Sequence, residues 1–149
     1  MTIFYDDVIS AFLNKVTEYD FLRMTPEDRG QIVDGYLHRA RAMLAEVLSE
    51  STLVDSREER LFTGAGMTDS EADEIIEILS EGMLVQWMKP YVYKQENLEN
   101  LLNGTDWSSY SPAELLKRVS ETYEKVQKNY VNLVRNYSYR HGDLTSLHM

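Results

Sequence analysis

The chain is predicted to be all-α, a compact helical bundle of about five helices with a long C-terminal helix and an extended C-terminal tail. Three observations predict it. Capping residues at Thr25, Thr68 and Ser111 each precede apolar residues at helical spacing. The stretch from Ser111 to Tyr137 holds that spacing over roughly 40 Å, and a rod of that length must bury one side against neighbours. No alternation of apolar and polar residues is long enough to carry a sheet, so no sheet of more than two short strands is expected.

The first helix is expected from Ile3 to about Tyr19, where Phe4, Val8, Phe12, Val16 and Tyr19 form one stripe that Ile9 and Leu13 widen. A turn falls between Tyr19 and Met24. Thr25 then caps a second helix, with Pro26 in the first turn and Glu27 and Asp28 at the positive end of the macrodipole. Its stripe is Ile32, Val33, Tyr36, Leu37, Ala40, Met43, Leu44, Val47 and Leu48, sustained despite Gly30 and Gly35. His38, Arg39 and Arg41 on this helix read as a solvated face, because no acid or base stands at a matching interval.

Periodicity fades from Ser49 to Met67. Ser56, Arg57, Glu58 and Glu59 suit one short turn, Leu61 and Phe62 suit burial under the body, and Gly64, Ala65 and Gly66 read as a hinge. The segment is expected to be a mobile insert, either a contact loop or a connector. Thr68 with Glu71 forms the next capping box, and Asp69, Asp73 and Glu74 favour the helix start. Ile75, Ile76, Leu79, Met83, Leu84, Trp87 and Met88 give this helix an apolar face that places it at the centre of the core. Pro90 is expected to break or kink it. Tyr91, Val92, Leu98, Leu101 and Leu102 predict a further helix ending near Gly104, and Thr105 to Tyr110 connects it to the last.

The long helix opens with Ser111 as cap, Pro112 in the first turn and Glu114 completing a capping box. Val119, Val126 and Leu133 make one apolar column and Leu116, Tyr123, Tyr130 and Tyr137 another. Such a seam serves either the chain's own core or a contact with another subunit, and three tyrosines in one column suit a partly wet boundary. Residues 1–137 are therefore expected to form a single helical domain. Residues 138–149 are expected to form a C-terminal tail that docks on a neighbour through Tyr139, Leu144, Leu147 and Met149, with Arg140 available to an acidic partner.

A chain of 149 residues suits one ordinary core. The start Met1, Thr2, Ile3, Phe4, Tyr5, Asp6, Asp7 has neither a basic cluster nor an apolar signal core, and no apolar run approaches a membrane span. A soluble protein without membrane contact is expected. The absence of cysteine excludes disulfides and thiolate chemistry. A net charge of −10 argues against specific nucleic-acid binding, which draws its affinity from a basic face. Residues 1–111 hold 9 Lys and Arg against 21 Asp and Glu, whereas residues 112–149 hold 6 against 4. The C-terminal part is thus suited to an acidic surface, including the N-terminal part of another copy.

No phosphate-cradling glycine loop, zinc-type histidine pair or nucleophile elbow occurs, and His38, His141 and His148 are widely separated. Glu71 with Glu74 and Glu96 with Glu99 are pairs one helical turn apart, a pattern able to hold Mg²⁺ from two adjacent helices. The pairs resemble the carboxylates of all-α nucleotide pyrophosphohydrolases of the MazG type, with Glu99 where that family has Asp. Pairs of this kind also arise on solvated helix faces of an acidic chain, and no catalytic residue, cofactor or metal site is assigned.

A second resemblance spans nearly the whole chain. Phe4, Tyr5, Asp6, Asp7 and Val8 near the start are followed by Tyr19, Asp20 and Phe21, then by Glu81, Gly82 and Met83 leading to Trp87, Met88, Lys89 and Pro90. Tyr110, Ser111 and Pro112 then precede a charged long helix. In order, length and helix pattern this resembles the head-tail connector, or neck adaptor, proteins of tailed bacteriophages. The resemblance implies a non-enzymatic virion protein, assembled in the host cytoplasm as a homo-oligomeric ring in the neck. Its partners would be the portal protein and adjoining neck or tail proteins. An intracellular all-α protein-binding or regulatory module is the alternative. The candidate interface residues are Tyr123, Lys125, Lys128, Tyr130, Tyr137, Tyr139, Arg140, Leu144 and Leu147.

Overall fold

A computed structural model describes residues 1–17, 31–47, 53–64, 68–93 and 112–141. Its elements in chain order are β1 (Thr2–Phe4), α1 (Tyr5–Val16), α2 (Gln31–Val47), β2 (Val54–Ser56), β3 (Leu61–Thr63), α3 (Asp69–Tyr93) and α4 (Pro112–His141). The protein is mostly helical, as expected, with four helices among the described residues rather than five. Leu98 to Gly104, where a further helix was expected, lies outside them, as do the caps at Thr25 and Ser111.

Helix α3 is central and packs against α1, α2 and α4. Every residue from Ile78 to Val85 is buried, which is the signature of a helix enclosed on all sides. Its start is built as the sequence indicates, with the Glu71 amide donating to Thr68 Oγ1 at 3.3 Å. Pro90 does not end the helix, which runs on to Tyr93. A proline this close to a C-terminus interrupts the backbone ladder only in the final turns, and Tyr91 and Val92 still pack against the core.

The expectation of at most two strands is corrected by a three-stranded antiparallel sheet of order β1-β3-β2. Ile3 pairs with Phe62 and Phe62 with Asp55. Within the segment read as a mobile insert, residues 53–64 form a hairpin, turned through Arg57 to Arg60 with Arg60 at φ 56°, and the rest of that segment lies outside the described residues. Phe62 is fully buried, and the Gly64 amide donates to the Met1 carbonyl at 3.0 Å. The first stripe is corrected with it. Phe4 belongs to β1 and is 52 % exposed, because alternate strand residues face opposite ways. Tyr5 takes its place in the core beside Val8, Phe12 and Val16. On α2, Val33, Leu37, Ala40 and Leu44 are buried whereas Ile32 is exposed.

Candidate functional site

Helix α4 buries Leu115, Val119, Tyr123, Val126, Tyr130, Val134 and Tyr137 against the rest of the chain, with Leu116 and Leu133 partly covered. Three of the candidate interface residues, Tyr123, Tyr130 and Tyr137, thus lie in the chain's own core. Lys125, Lys128, Tyr139 and Arg140 are exposed, and Leu144 and Leu147 lie outside the described residues. The helix also absorbs the start of the expected tail. It continues to His141, with Ser138 buried and Arg140 Nη1 3.4 Å from Glu74 Oε1 of α3.

Two of the carboxylates considered for a metal, Glu71 and Glu74, fasten α3 to α4. Tyr137 Oη lies 3.5 Å from Glu71 Oε2, and Glu74 meets Arg140. Glu96 and Glu99 lie outside the described residues, among which no group of three or more metal-ligating side chains converges. His38 also proves to be more than a solvated residue. Its Nδ1 is 3.6 Å from Asp55 Oδ2, and the other oxygen of Asp55 accepts the hydroxyl of buried Tyr5. Arg60 lies over the Tyr5 ring and forks onto both oxygens of Asp34 at 2.7 and 3.1 Å, while its carbonyl accepts the first amide of α1. This node ties the hairpin to α1 and α2.

Two concavities flank α4, one on each side of its buried face. The first is a polar cleft of about 450 Å³ between α1, α3 and α4, lined by Lys15, Glu77, Glu81 and Leu84 and by Asn129, Asn132, Leu133 and Asn136. Lys15 Nζ bonds Glu77 Oε1 and, at 2.8 Å, Glu81 Oε2. Burial works to lower the Lys15 pKa, but the two carboxylates outweigh it and hold the ammonium above its ordinary range. Glu81 is only 5 % exposed, and Lys15 is the counter-ion it is buried with.

The second concavity is a groove of about 690 Å³, with Met43, Val85, Tyr130 and Val131 giving it apolar walls and Glu124, Lys128 and Arg135 along its rim. Val131 is 47 % exposed between the two cations. Sequence reading identified Lys128 but not the groove or the cleft. The Asn129, Asn132 and Asn136 spacing was the available signal for the cleft, and it marks one polar flank only once α1 and α3 are known to border it.

Stability should fall as pH rises above about 10. Burial and the carboxylates Glu71 and Glu74 push the Tyr137 hydroxyl up to about 12. Burial and Asp55 raise Tyr5 well beyond its usual range, and burial with Tyr93 raises Tyr123. A folded-state pKa above the unfolded value contributes stability fully present below the unfolded pKa and lost as pH rises through the folded one. Alkaline unfolding followed by circular dichroism, with tyrosinate absorbance read alongside, should show these phenols ionising together with loss of structure. Tyr5, Tyr123 and Tyr137 titrating near pH 10 while the chain stays folded would contradict it.

No family model matches this chain, and no curated protein or solved structure matches it either.

Proposed function

We propose that this protein is a structural assembly subunit that associates with further copies of itself, of the head-tail connector kind found in the neck of tailed bacteriophages. The observation that carries self-association is the pair of concavities on opposite flanks of α4, one containing more carboxylates than cations and the other rimmed by Lys128 and Arg135. Two unlike surfaces on one chain allow a heterologous contact, which repeats from copy to copy and closes into a ring when the rotation permits. The connector assignment rests on the sequence resemblance, and it makes the virion neck the site of action and the portal and adjoining neck or tail proteins the partners. No catalytic step enters this reading.

Native mass measurement on the purified full chain is the direct test. A single large homo-oligomer is expected, with its population falling as salt screens the exposed charges. A chain that stays monomeric at every attainable concentration contradicts self-association. A small fixed oligomer that captures a cellular protein would favour the binding-module alternative instead.

A further inference from the structure

We propose that the cleft around Lys15, Glu77 and Glu81 is a receptor for cationic side chains, and that its occupant is the Lys128–Arg135 rim of a second copy of this chain. The inference rests on the self-association proposed above and identifies the surfaces that perform it. The cleft holds two carboxylates and one ammonium, leaving one negative charge in excess. Glu81 is buried against Lys15, so the excess is presented at Glu77, whose side chain is half exposed.

The opposite wall is what makes the cleft receptive. The polar positions of α4 that line it are Asn129, Asn132 and Asn136, while Lys128 and Arg135 of the same helix line the other concavity. A lysine or arginine at any of the three asparagines would be placed to neutralise Glu77 from within the chain. Asparagine instead supplies carbonyl acceptors without charge, which complement the remaining protons of a guanidinium held by a carboxylate. A volume of about 450 Å³ is many times that of a water, so it accommodates a side chain with its stem. Lys15 already bridges both carboxylates, which opposes a compact divalent ion at the same oxygens.

The approach to the cleft extends the match. Asp69, Asp73 and Glu77 are exposed at intervals of four along α3, a row of carboxylates about 12 Å long. Lys128 and Arg135 stand about 10 Å apart along α4, with exposed Val131 between them. Asn132 borders both concavities, so the acidic receptor and the basic rim lie back to back at one level of the same helix. One copy can therefore present both halves of the contact at once.

Charge exchange in the full-length chain tests the pairing by sedimentation equilibrium at low salt. Lys128→Glu with Arg135→Glu, and separately Asp73→Lys with Glu77→Lys, should each weaken self-association on the order of tenfold or more. The chain carrying all four changes should recover it. Because Glu77 also meets Lys15, Asp73→Lys alone provides a variant that leaves the Lys15 bonds intact, and circular dichroism checks that each chain is folded. Oligomers indifferent to either pair of changes, or a four-fold variant that fails to recover, overturn this pairing and leave self-association standing. A monomeric wild-type chain overturns both.

Discussion

Replacing Gly82 with leucine should lower unfolding stability by about 3 kcal/mol, a loss at the upper end of ordinary overpacking. Gly82 lies on α3 with α2 and α4 both packed against it. A Cβ built there would stand 3.1 Å from Ala40 Cβ and 3.1 Å from Tyr130 Cε2, with the Ala40 Cα at 3.6 Å. Leucine adds three further carbons to a site already closed by two helices, so α3 must separate from one of them. Alanine is a different case. Its single methyl requires shifts of a few tenths of an ångström, and the gain of roughly 1 kcal/mol in helix propensity over glycine acts against the crowding. Thermal or denaturant unfolding of Gly82→Ala and Gly82→Leu should therefore diverge widely. Equal stability of the two would mean that the three helices are not packed as closely as described.

That crossing shows which parts of the fold were legible in the sequence. The apolar stripe of α3 and the columns of α4 follow from helical spacing alone, and their burial follows from length, since rods of this size cannot leave such a face in water. Spacing did not reveal the role of Gly82, because a glycine within a helical pattern has the same appearance whether it relieves a contact or merely weakens the helix. The sheet escaped for another reason. Strands of three residues alternate too briefly to be distinguished from helix, and β1 finds β3 about sixty residues away through pairing that no local pattern encodes. Phe4 was displaced from the expected stripe by the same event and Tyr5 took its place, since committing Thr2–Phe4 to a strand rotates the start of α1.

The candidate site was legible only in part. The charge split pointed to α4 as the basic element, and Lys125 and Lys128 are exposed on it. The tyrosine column gave an ambiguous signal that the structure assigns to the core. Phenol rings serve an interior helix contact as readily as a subunit boundary when the hydroxyl finds a partner, as Tyr123 does with Gln127 Nε2 at 3.0 Å. The cleft required three helices to be brought together before its composition meant anything. Lys15, Glu81 and Asn132 are far apart in sequence, and each alone is an ordinary polar residue on a helix.

Replacing Lys15 with methionine should destabilise the protein by about 3 kcal/mol at neutral pH, the range found when one partner of a buried ion pair is removed. Methionine retains most of the stem of lysine, so packing between α1 and α3 changes little and the loss falls on Glu81. That carboxylate would remain buried without its ammonium, and the uncompensated buried charge is what makes breaking such a pair costly. In the wild type the raised pKa of Lys15 keeps the pair intact at neutral pH and releases it only under strongly alkaline conditions. Adding Glu81→Gln to Lys15→Met should restore most of the neutral-pH loss, because a neutral amide no longer needs a counter-ion. Denaturant unfolding of wild type, Lys15→Met and the double variant at neutral pH measures both differences. A double variant no more stable than the single one would show that Lys15 acts through packing alone.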